Sequence, residues 1–133
     1  MHKLTALTFM LLSSILHAEN YVAVDSQGNR LFDRTNYRTE GDKLIPTDSF
    51  GNRQYGKINY KMDGDKLVPT DAFGNRKYGE TAYRMKKEGH IEATDNFGNR
   101  QYGHKDFKME GKKIVPVDSF GNRNYKRSGF LKQ

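Results

Sequence analysis

The 133-residue chain contains no cysteine and no tryptophan. Without thiols, a disulfide framework and a cysteine metal site are both excluded. Proline is scarce: Pro46, Pro69 and Pro116 are the only three, and each interrupts any long helix in its stretch. Beyond residue 18 the only histidines are His90 and His104, and they do not have metal-ligand spacing. Apolar residues make up only 35% of the chain against 29% charged, which bounds it to one small domain with a thin core. There is also only one long apolar run.

That run is residues 4–16, broken by Thr5, Thr8, Ser13 and Ser14, preceded by Met1-His2-Lys3 and followed by Ala18 and the polar pair Glu19-Asn20. A basic start, a short apolar stretch and a small residue before a polar turn form the layout of a secretory signal peptide. At about 13 residues the run is shorter than the roughly 20 a spanning helix needs. The other reading, an apolar strand or helix of the fold itself, fits less well because nothing downstream has similar apolar density. With no cysteine after the run, a lipid-anchored product is excluded. The expected organisation is a signal peptide over 1–18 and one repeat domain over 19–133. Export by a Sec-type route to the periplasm or the extracellular space follows, with no membrane span. Removing residues 1–18, whose only formal charge is Lys3, lowers the net charge from +7 to +6.

The domain is built on one recurring segment. Asp25-Ser-Gln-Gly-Asn-Arg-Leu-Phe32 returns as Asp48 to Tyr55, Asp71 to Tyr78, Asp95 to Tyr102 and Asp118 to Tyr125, with the aspartates 23, 23, 24 and 23 residues apart. A looser segment alternates with it, as in Thr39-Glu-Gly-Asp-Lys43, Met62-Asp-Gly-Asp-Lys66 and Met109-Glu-Gly-Lys-Lys113. A fixed period of this size is the signature of a repeat architecture. Gly-Asn between β-prone flanks and Asp-Gly or Glu-Gly are both hairpin chemistries. Each repeat therefore reads as strand, turn, strand, turn, giving about ten strands.

Parity constrains the turns. Two two-residue turns per repeat would suit a period of 24, but the period is 23. One turn must hold an odd number of residues, or every side chain changes face at the next repeat. A three-residue loop, Met62-Asp63-Gly64, meets this requirement and places Gly64 where a bulged turn needs positive φ. It sets Leu44, Pro46 and Asn59 on one face and Ile45, Thr47 and Tyr60 on the other. The expected fold class is all-β: tandem β-hairpin repeats forming an open antiparallel meander, with a parallel β-solenoid as the alternative. Either form leaves open edge strands, a route to self-association or fibres.

The segment Asp71-Ala-Phe-Gly-Asn-Arg-Lys-Tyr78 resembles the Asp-x-x-Gly-Asn-Arg stretch of the YD repeats in Rhs-type proteins, which implies strand-turn-strand units. The chain has five units where those proteins are giant, so an enclosing shell is not implied. The layout, though not the motif, resembles curli-type subunits: a small exported chain of five repeats.

Catalytic chemistry is hard to find. Ser26, Ser49 and Ser119 stand where other copies carry Ala72 and Asn96, an exchange a nucleophile would not tolerate. No phosphate-loop lysine motif is present. A non-enzymatic protein without cofactor is expected. What recurs is Arg30, Arg53, Arg76, Arg100 and Arg123, each followed two residues later by Phe32, Tyr55, Tyr78, Tyr102 or Tyr125. One reading is local, with Asp accepting turn amides and Arg lying across its aromatic neighbour. The other makes these residues a ligand-binding row for an anionic polymer or glycan of the envelope, gripped by avidity. A secreted protein partner is a third possibility.

Overall fold

The computed structural model describes residues 19–133 except His104. The signal-peptide reading of residues 1–18 therefore lies outside the described residues, as does His104. Among those described, ten strands form: β1 (Asn20–Val24), β2 (Asn36–Glu40), β3 (Lys43–Thr47), β4 (Asn59–Asp63), β5 (Lys66–Thr70), β6 (Ala82–Met85), β7 (His90–Thr94), β8 (Asp106–Glu110), β9 (Lys113–Val117) and β10 (Gly129–Lys132). Neighbours in sequence pair antiparallel, and β1 pairs with β10, so the sheet closes into a single barrel.

This closure overturns both the open meander and the solenoid. The fifth hairpin is assembled from the two ends of the chain, with Ala23 opposite Phe130 and Val24 opposite Gly129. Gln133 N–H donates to Asn20 O at 2.8 Å and extends the seam. Among the described residues no strand edge is left for fibre growth, since closure pairs every strand on both sides. The expected self-association through edge strands falls with it.

The odd-numbered connection also lies elsewhere than expected. Asp63 pairs with Lys66 across a two-residue turn, Gly64-Asp65, in which Gly64 has φ +63°. The odd count belongs to the Gly-Asn segment, an eleven-residue loop over 71–81 rather than a tight hairpin turn. Tyr60 consequently pairs with Leu44 and shares its face, while Asn59 shares the face of Thr47. The fourth hairpin carries the extra residue as a single 3-10 turn, Lys87–Gly89, with Glu88 in the left-handed region. That register puts His90 at the place of Lys66.

All five long loops leave the same end of the barrel, because they join the odd-numbered strands to the even ones. Each loop folds back on the strand before it: Arg53 bridges Thr47, and Gln54 N–H donates to Pro46 O at 2.9 Å. The sheet is thus buried on both faces. Val22, Ile45, Val68 and Val115 lie on the outer face with Thr47, Thr70 and Thr94, all buried. Pro46, Pro69 and Met85 are buried on the inner face. At four or five residues, the strands are well short of the roughly 9–11 that cross a bilayer. Among the described residues, no helix is long and apolar enough to do so.

Candidate functional site: the barrel lumen

Alternation along the even strands sends every second side chain inward. The second residue of β2 and β4, Tyr37 and Tyr60, faces the axis, as do Tyr83, Phe107 and Phe130 in their strands. These five rings form a closed circuit. Centroids are 6.1 Å apart for Tyr37–Tyr60, 5.9 Å for Tyr60–Tyr83 and 6.1 Å for Tyr83–Phe107. Phe107–Phe130 at 6.2 Å and Phe130–Tyr37 at 5.7 Å complete it. The interplanar angles of 51–71° are tilted to edge-on, the arrangement that sets a positive ring edge against a negative ring face.

The circuit surrounds a cavity of about 250 Å³, walled further along by Leu44, Leu67, Ile91 and Ile114 from the odd strands. Small barrels usually fill their interiors with side chains or hold one small ligand. This one leaves space, and the wall is almost wholly apolar. Its polar groups are the tyrosine hydroxyls and the ammonium of Lys105, which lies 5.3 Å from the centroid of Phe107. Burial raises the hydroxyl pKa of Tyr37, and raises that of Tyr83 to about 12. Tyr60 is pushed above the ordinary tyrosine range by burial first, then by Tyr83, Tyr37 and Glu80. All three tyrosines are neutral hydrogen-bonding groups at physiological pH.

The residues singled out from the sequence lie outside the lumen, in the loops. Each Asp caps its own turn: Asp48 Oδ1 accepts from the N–H groups of Phe50 and Asn52, both at 2.9 Å. Each Arg lies over its own aromatic ring, with Cζ to centroid distances of 5.0–5.5 Å for Arg30–Phe32, Arg53–Tyr55, Arg76–Tyr78, Arg100–Tyr102 and Arg123–Tyr125. Four of the arginines also donate to a backbone carbonyl of the next loop. Arg30 reaches Ser49 O at 3.1 Å, Arg53 reaches Ala72 O at 3.4 Å, Arg76 reaches Asn96 O at 3.4 Å and Arg100 reaches Ser119 O at 3.0 Å. Arg123, whose next loop lies across the seam, instead has Nη1 3.8 Å from Glu110.

These ties correct the functional expectation. The arginines close one loop onto the next around a ring, so they are not a linear row presented to an envelope polymer. Each guanidinium faces a ring of its own repeat, and in four of the five an Nη donates to the neighbouring loop. The local reading of the repeat is the one the geometry carries. Phe50, Phe73, Phe97 and Phe120 remain 87–90% exposed at the loop tips.

The fourth repeat departs from the others. Glu92 occupies the outward site filled by Ile45, Val68 and Val115, and Asp106 the site filled by Asn36 and Asn59. Arg100 joins the two acids, bonding Glu92 and, at 2.8 Å, Asp106 Oδ2. A broad depression beside them is lined by Arg84, His90, Glu92, Arg100 and Phe120. Glu92 and Asp106 are paired with arginine or lysine, and among the described residues no group of three or more His, Asp or Glu is placed to hold a metal. The lumen is therefore the stronger candidate.

The lumen aromatics were not singled out in the sequence, although a signal was there. Tyr37, Tyr60, Tyr83, Phe107 and Phe130 recur at 23, 23, 24 and 23, the period of the aspartates. No family model, no curated protein and no solved structure matches this chain.

Proposed function

We propose that this protein binds one small, largely apolar molecule in its lumen, without chemical turnover. The observation that carries the reading is the closed circuit of five aromatic rings around a cavity of about 250 Å³ that the wall side chains leave unfilled. Ligand pockets are concave, mostly apolar and sparingly polar, and commonly run to roughly 300–1,000 Å³. At about 250 Å³ the cavity lies just below that range and suits a molecule of one or two rings. Aromatic walls give such a ligand edge and face contacts worth about 0.5–1.5 kcal/mol per ring beyond area burial. The reading places the protein outside the cytoplasm, on the strength of residues 1–18 as an export signal.

The test is a thermal-shift and tyrosine-fluorescence titration with indole and p-xylene. A saturable rise in Tm with quenching of tyrosine emission is expected. Leu44→Phe, which fills the lumen from a half-buried wall position, removes both responses while the fold persists by circular dichroism. Responses unchanged in that variant place the probes elsewhere and sink the proposal.

A further inference from the structure

The lumen is five-fold in shape but not in charge. One position before each even strand, on the same face as the aromatic circuit, the chain carries Thr35, Ile58, Thr81, Lys105 and Ser128. Lys105 is the one charge in this layer. Its ammonium rests on Phe107, a ring without a hydroxyl, so its immediate neighbour in the wall offers no oxygen acceptor. It is half-buried and forms no ion pair among the described residues.

Burial lowers the pKa of Lys105, and Arg127 in the next repeat and Arg34 in the one after add to the shift with charge of the same sign. These three cations come from consecutive repeats around the closed ring. Glu80, in the repeat on the other side of Lys105, acts on Tyr60. A half-buried ammonium at the mouth of an apolar cavity is stabilised when an anion joins it. The apolar wall beneath accepts no second charge.

We infer that the lumen selects small amphipathic anions, whose carboxylate meets Lys105 at the loop end while an aromatic or aliphatic body enters the ring of Tyr37, Tyr60, Tyr83, Phe107 and Phe130. This rests on the lumen-binding reading above and names its ligand class. A charge-assisted contact of this kind is strong relative to a neutral one. The tyrosine hydroxyls supply further donors at the same level as the rings.

The experiment is calorimetric titration of the protein with three probes of one shape: 3-phenylpropionate, 3-phenylpropan-1-ol and 3-phenylpropylamine. The carboxylate is expected to bind about tenfold or more tighter than the alcohol, and the amine weakest. Lys105→Gln removes the preference, so that carboxylate and alcohol bind with similar affinity. Lys43→Gln, an equal change of net charge at the opposite end of the barrel, leaves the preference intact. If alcohol and carboxylate bind alike, or if Lys105→Gln keeps the preference, the anion inference is overturned while lumen binding stands. If none of the three binds the folded protein, both fall.

Discussion

The backbone N–H of Ala93 donates to the buried carboxylate of Asp106, Oδ1, at 2.9 Å across two repeating units. Ala23 makes the same bond to Asn36 Oδ1 at 2.9 Å. The place of Ala23 and Ala93 is taken in the other repeats by Pro46, Pro69 and Pro116, which have no N–H to give. Opposite Pro69 stands Ala82, and opposite Pro116 stands Gly129, neither with a side-chain acceptor. Donor and acceptor thus come and go together in four of the five repeats. The exception is Asn59, which faces Pro46 and whose Oδ1 is buried without a partner.

That mismatch sets a stability prediction. Asn36→Ala leaves the Ala23 N–H buried and unsatisfied, and is expected to cost about 1–3 kcal/mol. Asn59→Ala reproduces the Pro69–Ala82 pairing and removes an orphaned acceptor, so it is expected to lie between neutral and about 1 kcal/mol stabilising. Urea denaturation of the two variants side by side decides it. Equal destabilisation would mean that Asn59 is held by more than its missing partner implies.

The arginine row should not behave as five equal sites. Arg76→Gln loses a 3.4 Å carbonyl contact and a stack on Tyr78, both exposed, and is expected to cost about 1 kcal/mol or less. Arg100→Gln strands Glu92 and Asp106, whose side chains are 15% and 6% exposed, and is expected to cost about 3–5 kcal/mol. Adding Glu92→Val to it, which restores the aliphatic residue of the other repeats, should recover part of the loss. Equal effects at Arg76 and Arg100 would refute the network.

Stability should be lost at both ends of the pH scale, for opposite reasons. Asp25, Asp48, Asp71, Asp95 and Asp118 have lowered pKa values, chiefly from the backbone N–H of the Asn four residues on. Their contribution is present above the unfolded carboxylate value of about 3.9 and is lost as pH falls through the lower folded values. Tyr37, Tyr60 and Tyr83 have raised values, chiefly from burial. Their contribution is complete below the unfolded value of about 10 and is lost as pH rises through the folded ones. Calorimetric Tm against pH should show a plateau between these windows. Asp71→Asn should shallow the acid limb and Tyr83→Phe the alkaline limb; a limb unmoved by its variant is set by other groups.

Much of the fold was legible because repetition multiplies weak local signals. Gly64 marks a turn, Pro69 a β-prone stretch without helix, and the odd period forces one odd connection per repeat. The choice of which connection was odd was misread. Gly-Asn looks like a two-residue hairpin turn in isolation, but Asp48 engages the amides of Phe50 and Asn52 and holds a wider loop. The same misreading put Tyr60 on the wrong face and hid the lumen circuit. The conspicuous arginines drew attention away from the aromatic positions, because a charged motif stands out where an alternating tyrosine does not.

By itself, the sequence determined the unit: its length, its β content, the glycine-marked chain reversals and the recurrence of an aromatic two residues after each Arg. Those are properties of a few consecutive residues, and they follow from backbone sterics and short-range hydrogen bonds. Only the tertiary structure decided that five units close on themselves. Within a hairpin such as β4–β5 five residues pair, but between hairpins, as in β3–β4, only two do. The hairpins therefore splay, and the angle between them accumulates around the axis until β10 meets β1. No single repeat encodes that sum, and without it there is no seam, no ring of five aromatics and no lumen.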